Sequence, residues 1–127
     1  MPTVLVVDDN ADTRVVVRWQ LERWGCRVLE ASDGREAFES VVESRPDLVL
    51  MDLSMPRVDG YDAIRQIRGH EEFASLPIIA VTAFDRADSR DGAATAGCNY
   101  YLSKPIDFYR LEVLVERLTR AAREGGA

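Results

Sequence analysis

Short apolar runs punctuate the chain and alternate with longer segments of helical periodicity. Val4-Leu5-Val6-Val7 leads into Asp8-Asp9, Leu48-Val49-Leu50-Met51 into Asp52, and Ile78-Ile79-Ala80-Val81 into Thr82. Tyr100-Tyr101-Leu102 stops just before Lys104-Pro105, and Arg27-Val28-Leu29-Glu30-Ala31 is a more mixed run of the same length. Runs of this kind, rich in β-branched residues and bounded by turn residues, predict buried parallel strands.

Between them the period changes. Ala11 to about Trp24 reads as a helix whose apolar face holds Val15, Val16, Trp19, Leu21 and Trp24, with Gly25 as its stop. Ser32-Asp33-Gly34 forms a turn and cap before a second helix carrying Ala37, Phe38, Val41 and Val42, and Pro46 ends that connection. A third helix after Gly60 lines up Tyr61, Ile64 and Ile67 and frays near Gly69-His70. The fourth, from Arg86 to Ala96, is polar and alanine-rich; its thin apolar face makes it the least anchored helix. The last, Asp107 to about Arg123, packs through Leu111, Leu114, Val115 and Leu118. Residues 1–123 thus form one domain and 124–127 a frayed tail.

Five strands alternating with helices predict an α/β fold, a doubly wound parallel sheet with right-handed crossovers. A Rossmann strand order is the alternative. The first strand, however, runs into Asp8-Asp9 rather than a glycine-rich turn, and neither G-x-G-x-x-G nor G-x-x-x-x-G-K-[ST] occurs. Dinucleotide and P-loop readings lose their main support.

Composition narrows the class. At 127 residues, 46% hydrophobic and 30% charged, the chain matches a single globular domain. No run reaches the roughly 20 apolar residues of a membrane span, and the first strand begins without a basic leader or signal segment, so a cytoplasmic location and no membrane partner are expected. A net charge of −6 argues against direct nucleic-acid binding. The late arginines Arg110, Arg117, Arg120 and Arg123 read as a solvated helix face. Cys26 and Cys98 have no metal-ligand or redox spacing and read as partly buried fillers.

An open parallel sheet binds ligands beyond the carboxyl ends of its strands. Asp8, Asp9 and Asp52 should therefore meet Thr82 and Lys104 at one edge. Three carboxylates together repel one another unless a cation sits among them, and Mg²⁺, a hard ion that takes oxygen ligands, is its natural occupant. A carboxylate can also act as a nucleophile toward phosphorus, with Lys104 supplying a point charge and Thr82 a hydroxyl donor to phosphoryl oxygens. An aspartate after a strand is often only a helix cap, but four such strand ends in one sheet favour a phosphate site.

Over nearly its whole length the chain resembles the receiver domain of two-component response regulators. The resemblance rests on Val6-Val7-Asp8-Asp9-Asn10, on Leu50-Met51-Asp52-Leu53-Ser54-Met55-Pro56 with Asp59-Gly60, on Val81-Thr82-Ala83, and on Tyr101-Leu102-Ser103-Lys104-Pro105. It implies a flavodoxin-like sheet of order 2-1-3-4-5 with five helices. It also implies that Asp52 is the phosphoacceptor, that Asp8, Asp9, Asp52 and the backbone carbonyl of Ser54 hold Mg²⁺, that Lys104 contacts the phosphate, and that the bond from Lys104 to Pro105 is cis. Thr82 and Tyr101 would be the switch pair, and Ser54 and Phe84 the positions that tune hydrolysis, with Phe84 shielding the acyl phosphate.

The expected partners are a sensor histidine kinase or phosphotransfer protein as donor, and a downstream protein or a phosphorylation-dependent homodimer as output. The readout face is the fourth helix, fifth strand and fifth helix. Such a protein is a switch rather than a turnover enzyme. Two alternatives stand: a receiver portion of a longer regulator with a DNA-binding or enzymatic effector, and an aspartyl-nucleophile phosphatase of the haloacid-dehalogenase type, whose D-x-D signature the adjacent Asp8-Asp9 does not match. On the first helix, Trp19 is expected to pack in the core and Trp24 to serve as a surface anchor for the donor.

Overall fold

The computed structural model describes residues 1–54, 60–83 and 87–125. Five strands, β1 (Thr3–Val7), β2 (Arg27–Ala31), β3 (Leu48–Asp52), β4 (Ile78–Thr82) and β5 (Tyr100–Ser103), alternate with helices α1 (Ala11–Arg23), α2 (Gly34–Ser44), α3 (Gly60–Arg68), α4 (Ala87–Ala96) and α5 (Phe108–Gly125). The strands form one parallel sheet in the order β2-β1-β3-β4-β5. The expected order and five-helix architecture are both present.

Alternation along each strand divides the core between two faces of the sheet. Leu5, Val7, Val49, Met51, Ile78 and Ala80 pack with α2, α3 and α4, while Val4, Val6, Leu48, Leu50, Ile79 and Val81 pack with α1 and α5. Because β3 and β4 lie inside the sheet and are covered on both sides, every residue in them is buried.

Helix ends follow local chemistry. The Asn10 side chain accepts from the N–H groups of Asp12 and Thr13, capping α1, and Asp33 Oδ1 accepts from Glu36 N at 2.8 Å, capping α2 as expected. Gly25, just past the end of α1, takes φ +86°, a left-handed conformation that glycine adopts without a Cβ penalty. Asp107 Oδ1 accepts from Tyr109 N at 3.0 Å at the start of α5. That helix continues through Gly125, so Glu124 and Gly125, expected in the tail, are helical. A 3-10 turn, Glu71–Phe73, follows α3 and buries Phe73, which the sequence pattern did not single out.

The inward stripe of α1 is narrower than expected. Val17 and Leu21, one turn apart, are its buried residues, whereas Val15, Val16 and Trp19 are 61%, 51% and 57% exposed. The two tryptophans exchange their expected places: Trp19 lies outside beneath the Arg23 guanidinium, 4.6 Å from its ring centroid, and Trp24 is half-buried against the core. Val42 on α2 is likewise exposed. Helix α4 buries Ala93 and Ala96, with Gly92 set against the Tyr61 ring. A buried methyl is worth roughly 0.8 kcal/mol, against about 1.5–3 kcal/mol for a leucine or isoleucine side chain, so the alanine seam is a weak anchorage. Among the described residues no helix is long and apolar enough to cross a membrane.

Candidate functional site

The parallel register brings the ends of four strands to one edge. Val7 pairs with Met51, Asp52 with Val81, and Thr82 with Ser103, so the residues immediately beyond β1 and β5 stand beside Asp52 and Thr82. Asp8, Asp52 and Thr82 are buried, at 4%, 3% and 2% exposure, while Asp9 is exposed. One carboxylate oxygen from each of Asp8, Asp9 and Asp52 can be chosen so that all three lie within 4.8 Å of one another. This compact, oxygen-only, anionic donor set fits a hard divalent cation such as Mg²⁺.

Each buried carboxylate is fixed by its own loop. Asp8 N donates to Ala31 O at 3.1 Å, and Asp8 Oδ1 accepts from Asn10 N at 2.9 Å. Asp52 Oδ1 accepts from Ser54 N at 2.9 Å, the same two-residue turn at the end of β3. The second oxygens face Lys104, whose Nζ is 3.4 Å from Asp8 Oδ2 and 3.3 Å from Asp52 Oδ2. Burial opposes the charge on Lys104, but the Asp52 and Asp8 carboxylates outweigh it and hold the ammonium pKa above its ordinary value. The bond from Lys104 to Pro105 is cis, as the resemblance implied.

Thr82 sits at the end of β4 with its carbonyl accepting from Lys104 N at 2.8 Å. Its hydroxyl is 3.4 Å from Ser54 Oγ, which also accepts from Ala83 N at 2.9 Å. The serine hydroxyl thus links the loops after β3 and β4. Sequence reading singled out Ser54 for its carbonyl and small size and missed this bridge; a hydroxyl two residues beyond a strand end was the available signal. Tyr101 is half-buried against the α3–α4 side of the core, paired in register with Ala80. Residues 55–59 and Phe84, to which the shielding role was assigned, lie outside the described residues.

Close approach at the base of the site depends on a glycine. A Cβ at Gly60 would lie 2.7 Å from the Asp52 carbonyl oxygen and 2.9 Å from Leu53 Cδ2, so α3 can start against β3 only because residue 60 lacks one. Beside the site a cavity of about 330 Å³ opens between α1 and the start of α5, lined by Val16, Val17, Lys104, Pro105, Ile106 and Phe108, among others.

Comparison with known proteins agrees with this architecture. The family model for the response regulator receiver domain matches residues 4–116. The polar-differentiation response regulator DivK of Brucella anthropi is 34% identical over 108 residues, covering 85% of this chain and 88% of DivK. The response regulator MprA of Mycolicibacterium vanbaalenii is 39% identical over 120 residues, 94% of this chain, which spans 50% of MprA. Among solved structures, the receiver domain of the Pseudomonas aeruginosa sensor histidine kinase PA1611, with a magnesium ion coordinated in its active-site cleft, is 36% identical with a TM-score of 0.85, covering 93% of this chain and 97% of that one.

Proposed function

The chain belongs to the response regulator receiver family of two-component signalling, and on that footing we propose that Asp52 is its phosphoacceptor and receives the phosphoryl group of a phosphohistidine. The observation that carries this reading is the placement of Lys104 Nζ between two buried carboxylates, 3.3 Å from Asp52 and 3.4 Å from Asp8. A nucleophile, a fixed cation and a divalent-ion donor set share one strand edge.

In the proposed step an Asp52 carboxylate oxygen attacks phosphorus, the P–N bond breaks, and its electron pair returns to the donor imidazole, which takes up a proton. Asp8 and Asp9, with Asp52 and the Ser54 carbonyl, would hold Mg²⁺, which when bound offsets the negative charge of nucleophile and phosphoryl oxygens. Lys104 orients the phosphoryl group through a point charge. The acyl phosphate carries about −1.5 to −2 of charge in place of the single charge of the carboxylate it consumes, and presents three strong acceptor oxygens. Thr82 answers these with its hydroxyl and Tyr101 follows, altering the face built from α4, β5 and α5. The weak alanine seam of α4 suits it to this part.

For the donor, a histidine kinase or phosphotransfer domain, the seat in this proposal is the cavity that Val16 and Lys104 line, continued along α1 by the exposed Val15 and Trp19. In this reading the switched face is taken up by a downstream protein or by a second copy of the chain. The second reading is a receiver coupled to an effector, and the chain spans half the length of MprA.

The test is incorporation of phosphate from a small phosphodonor with Mg²⁺. Asp52→Asn is expected to abolish hydroxylamine-labile label, and undiminished label on another residue would overturn the assignment.

A further inference from the structure

Asp8 and Asp9 leave β1 on a loop that β2 and α1 hold from outside the cleft. Arg14, in the first turns of α1, donates from Nη1 to the Asp8 carbonyl oxygen at 2.7 Å and from Nε to Glu30 Oε1 at 3.0 Å. Glu30, on β2, accepts on its other oxygen from Arg18 Nη1 at 2.7 Å. The hydrogen bond from Arg18, with a smaller one from Arg14, holds the Glu30 carboxyl below its usual pKa against the opposing effect of burial, so the carboxylate stays charged and keeps its grip through neutral pH. Arg14 is the better covered of the two arginines, with 18% side-chain exposure against 43% for Arg18.

The bond to the Asp8 carbonyl matters because that oxygen belongs to the peptide plane joining Asp8 to Asp9. A planar peptide carries the two flanking Cα atoms with it. The side chain of Asp8 is held separately, by Asn10 N on one oxygen and Lys104 on the other. For Asp9 the direction of departure from the backbone is set by the plane that Arg14 fixes.

We propose that Arg14 is a positioning residue for the divalent-ion site, orienting Asp9 through the Asp8 carbonyl, with Glu30 holding the guanidinium in place. This rests on the reading of Asp8, Asp9 and Asp52 as a Mg²⁺ site. Groups that orient metal ligands from behind typically change metal affinity about 10-fold or more when removed. The sign of the effect separates positioning from charge. Arg14 is a cation beside an anionic site, so deleting it as a mere charge makes the site more attractive to Mg²⁺; deleting an orienting hydrogen bond makes it less so.

The experiment titrates Mg²⁺ alone into ¹⁵N-labelled protein, following the amides around Asp9 and Asp52. Arg14→Met, which keeps the aliphatic stem, is expected to bind Mg²⁺ about 10-fold more weakly, and Arg14→Lys, which can still reach one carbonyl, to recover most of the loss. The phosphorylation rate at saturating Mg²⁺ stays within about two-fold of wild type while the Mg²⁺ concentration for half-maximal rate rises, the split expected when binding and not chemistry is impaired. Equal or tighter Mg²⁺ binding by folded Arg14→Met overturns the proposal. Should that variant not fold, Arg14→Gln, which also removes the charge but falls short of the carbonyl, carries the test, with weaker binding expected and equal or tighter binding overturning it. Wild-type protein that fails to bind Mg²⁺, or Asp9→Asn that binds as wild type does, would instead overturn the metal site itself and the proposal with it.

Discussion

The hydroxyl of Ser54 accepts a hydrogen bond from the backbone N–H of Ala83 at 2.9 Å, tying the loop that follows Asp52 to the loop that follows Thr82. An anion on Asp52 would call on donors at this rim, and this one is already engaged. Ser54→Ala releases it. A net hydrogen bond is worth about 1 kcal/mol, so affinity for beryllofluoride with Mg²⁺ is expected to rise roughly five-fold. Weaker binding in a fluorescence titration would make the hydroxyl a ligand of the anion instead.

Lys104 is the cation between Asp8 and Asp52, and Lys104→Met leaves two buried carboxylates facing each other. Removing one partner of a fully buried pair costs about 3–5 kcal/mol; with 27% of the lysine side chain exposed, the expected loss is roughly 1–2 kcal/mol. Urea unfolding without divalent ions should read that loss, and Mg²⁺ should restore more stability to the variant than to wild type.

The same pair sets an alkaline limit. Because the carboxylates raise the Lys104 pKa above its unfolded value, its stabilising contribution is complete below the ordinary lysine pKa of about 10.4 and disappears as pH climbs through the higher folded value. The stability difference between wild type and Lys104→Met should be constant from neutral pH to about pH 10 and shrink above it. A difference that shrinks below about pH 9 would contradict the assignment.

Gly60→Ala places a methyl carbon 2.7 Å from the Asp52 carbonyl oxygen. Backbone cannot yield as a flexible side chain does, so the variant is expected to lose about 1–3 kcal/mol and to phosphorylate more slowly. Stability and rate measured together test this, and a variant matching wild type in both would show that α3 has room to move.

Trp19→Ala removes an exposed ring outside the core, so stability is expected to change by less than about 0.5 kcal/mol. Labelling by a small phosphodonor should persist while transfer from a phosphohistidine domain falls. Equal transfer by both proteins would remove α1 from the donor seat.

Helix number and the meeting of Asp8, Asp9, Asp52, Thr82 and Lys104 were legible because each apolar run ends in the residue it delivers and a parallel sheet gathers those ends at one edge. The strand order came instead from the family resemblance, since alternation alone leaves a Rossmann order open. The burial of α1 was less legible. Val15, Val16, Val17, Trp19 and Leu21 offer more than one apolar stripe, and periodicity alone does not say which of them faces the sheet; Val17 and Leu21 do. The link from Arg14 to Asp8 was invisible for another reason. An arginine in a helix looks the same whether it points to solvent or to a carbonyl, and only the placement of Glu30 on the neighbouring strand decides. Likewise Phe73 gave no periodic signal, since the turn that buries it is a single 3-10 turn.

Ala93 and Ala96 meet the core through methyl groups. Such a seam has few interlocking knobs to disengage, so it resists sliding far less than a leucine-lined seam would. The trait that weakens α4 as a prop makes it serviceable as a bearing. Enlarging Ala93 to leucine would act as a detent, favouring whichever position of the helix leaves room for the larger side chain.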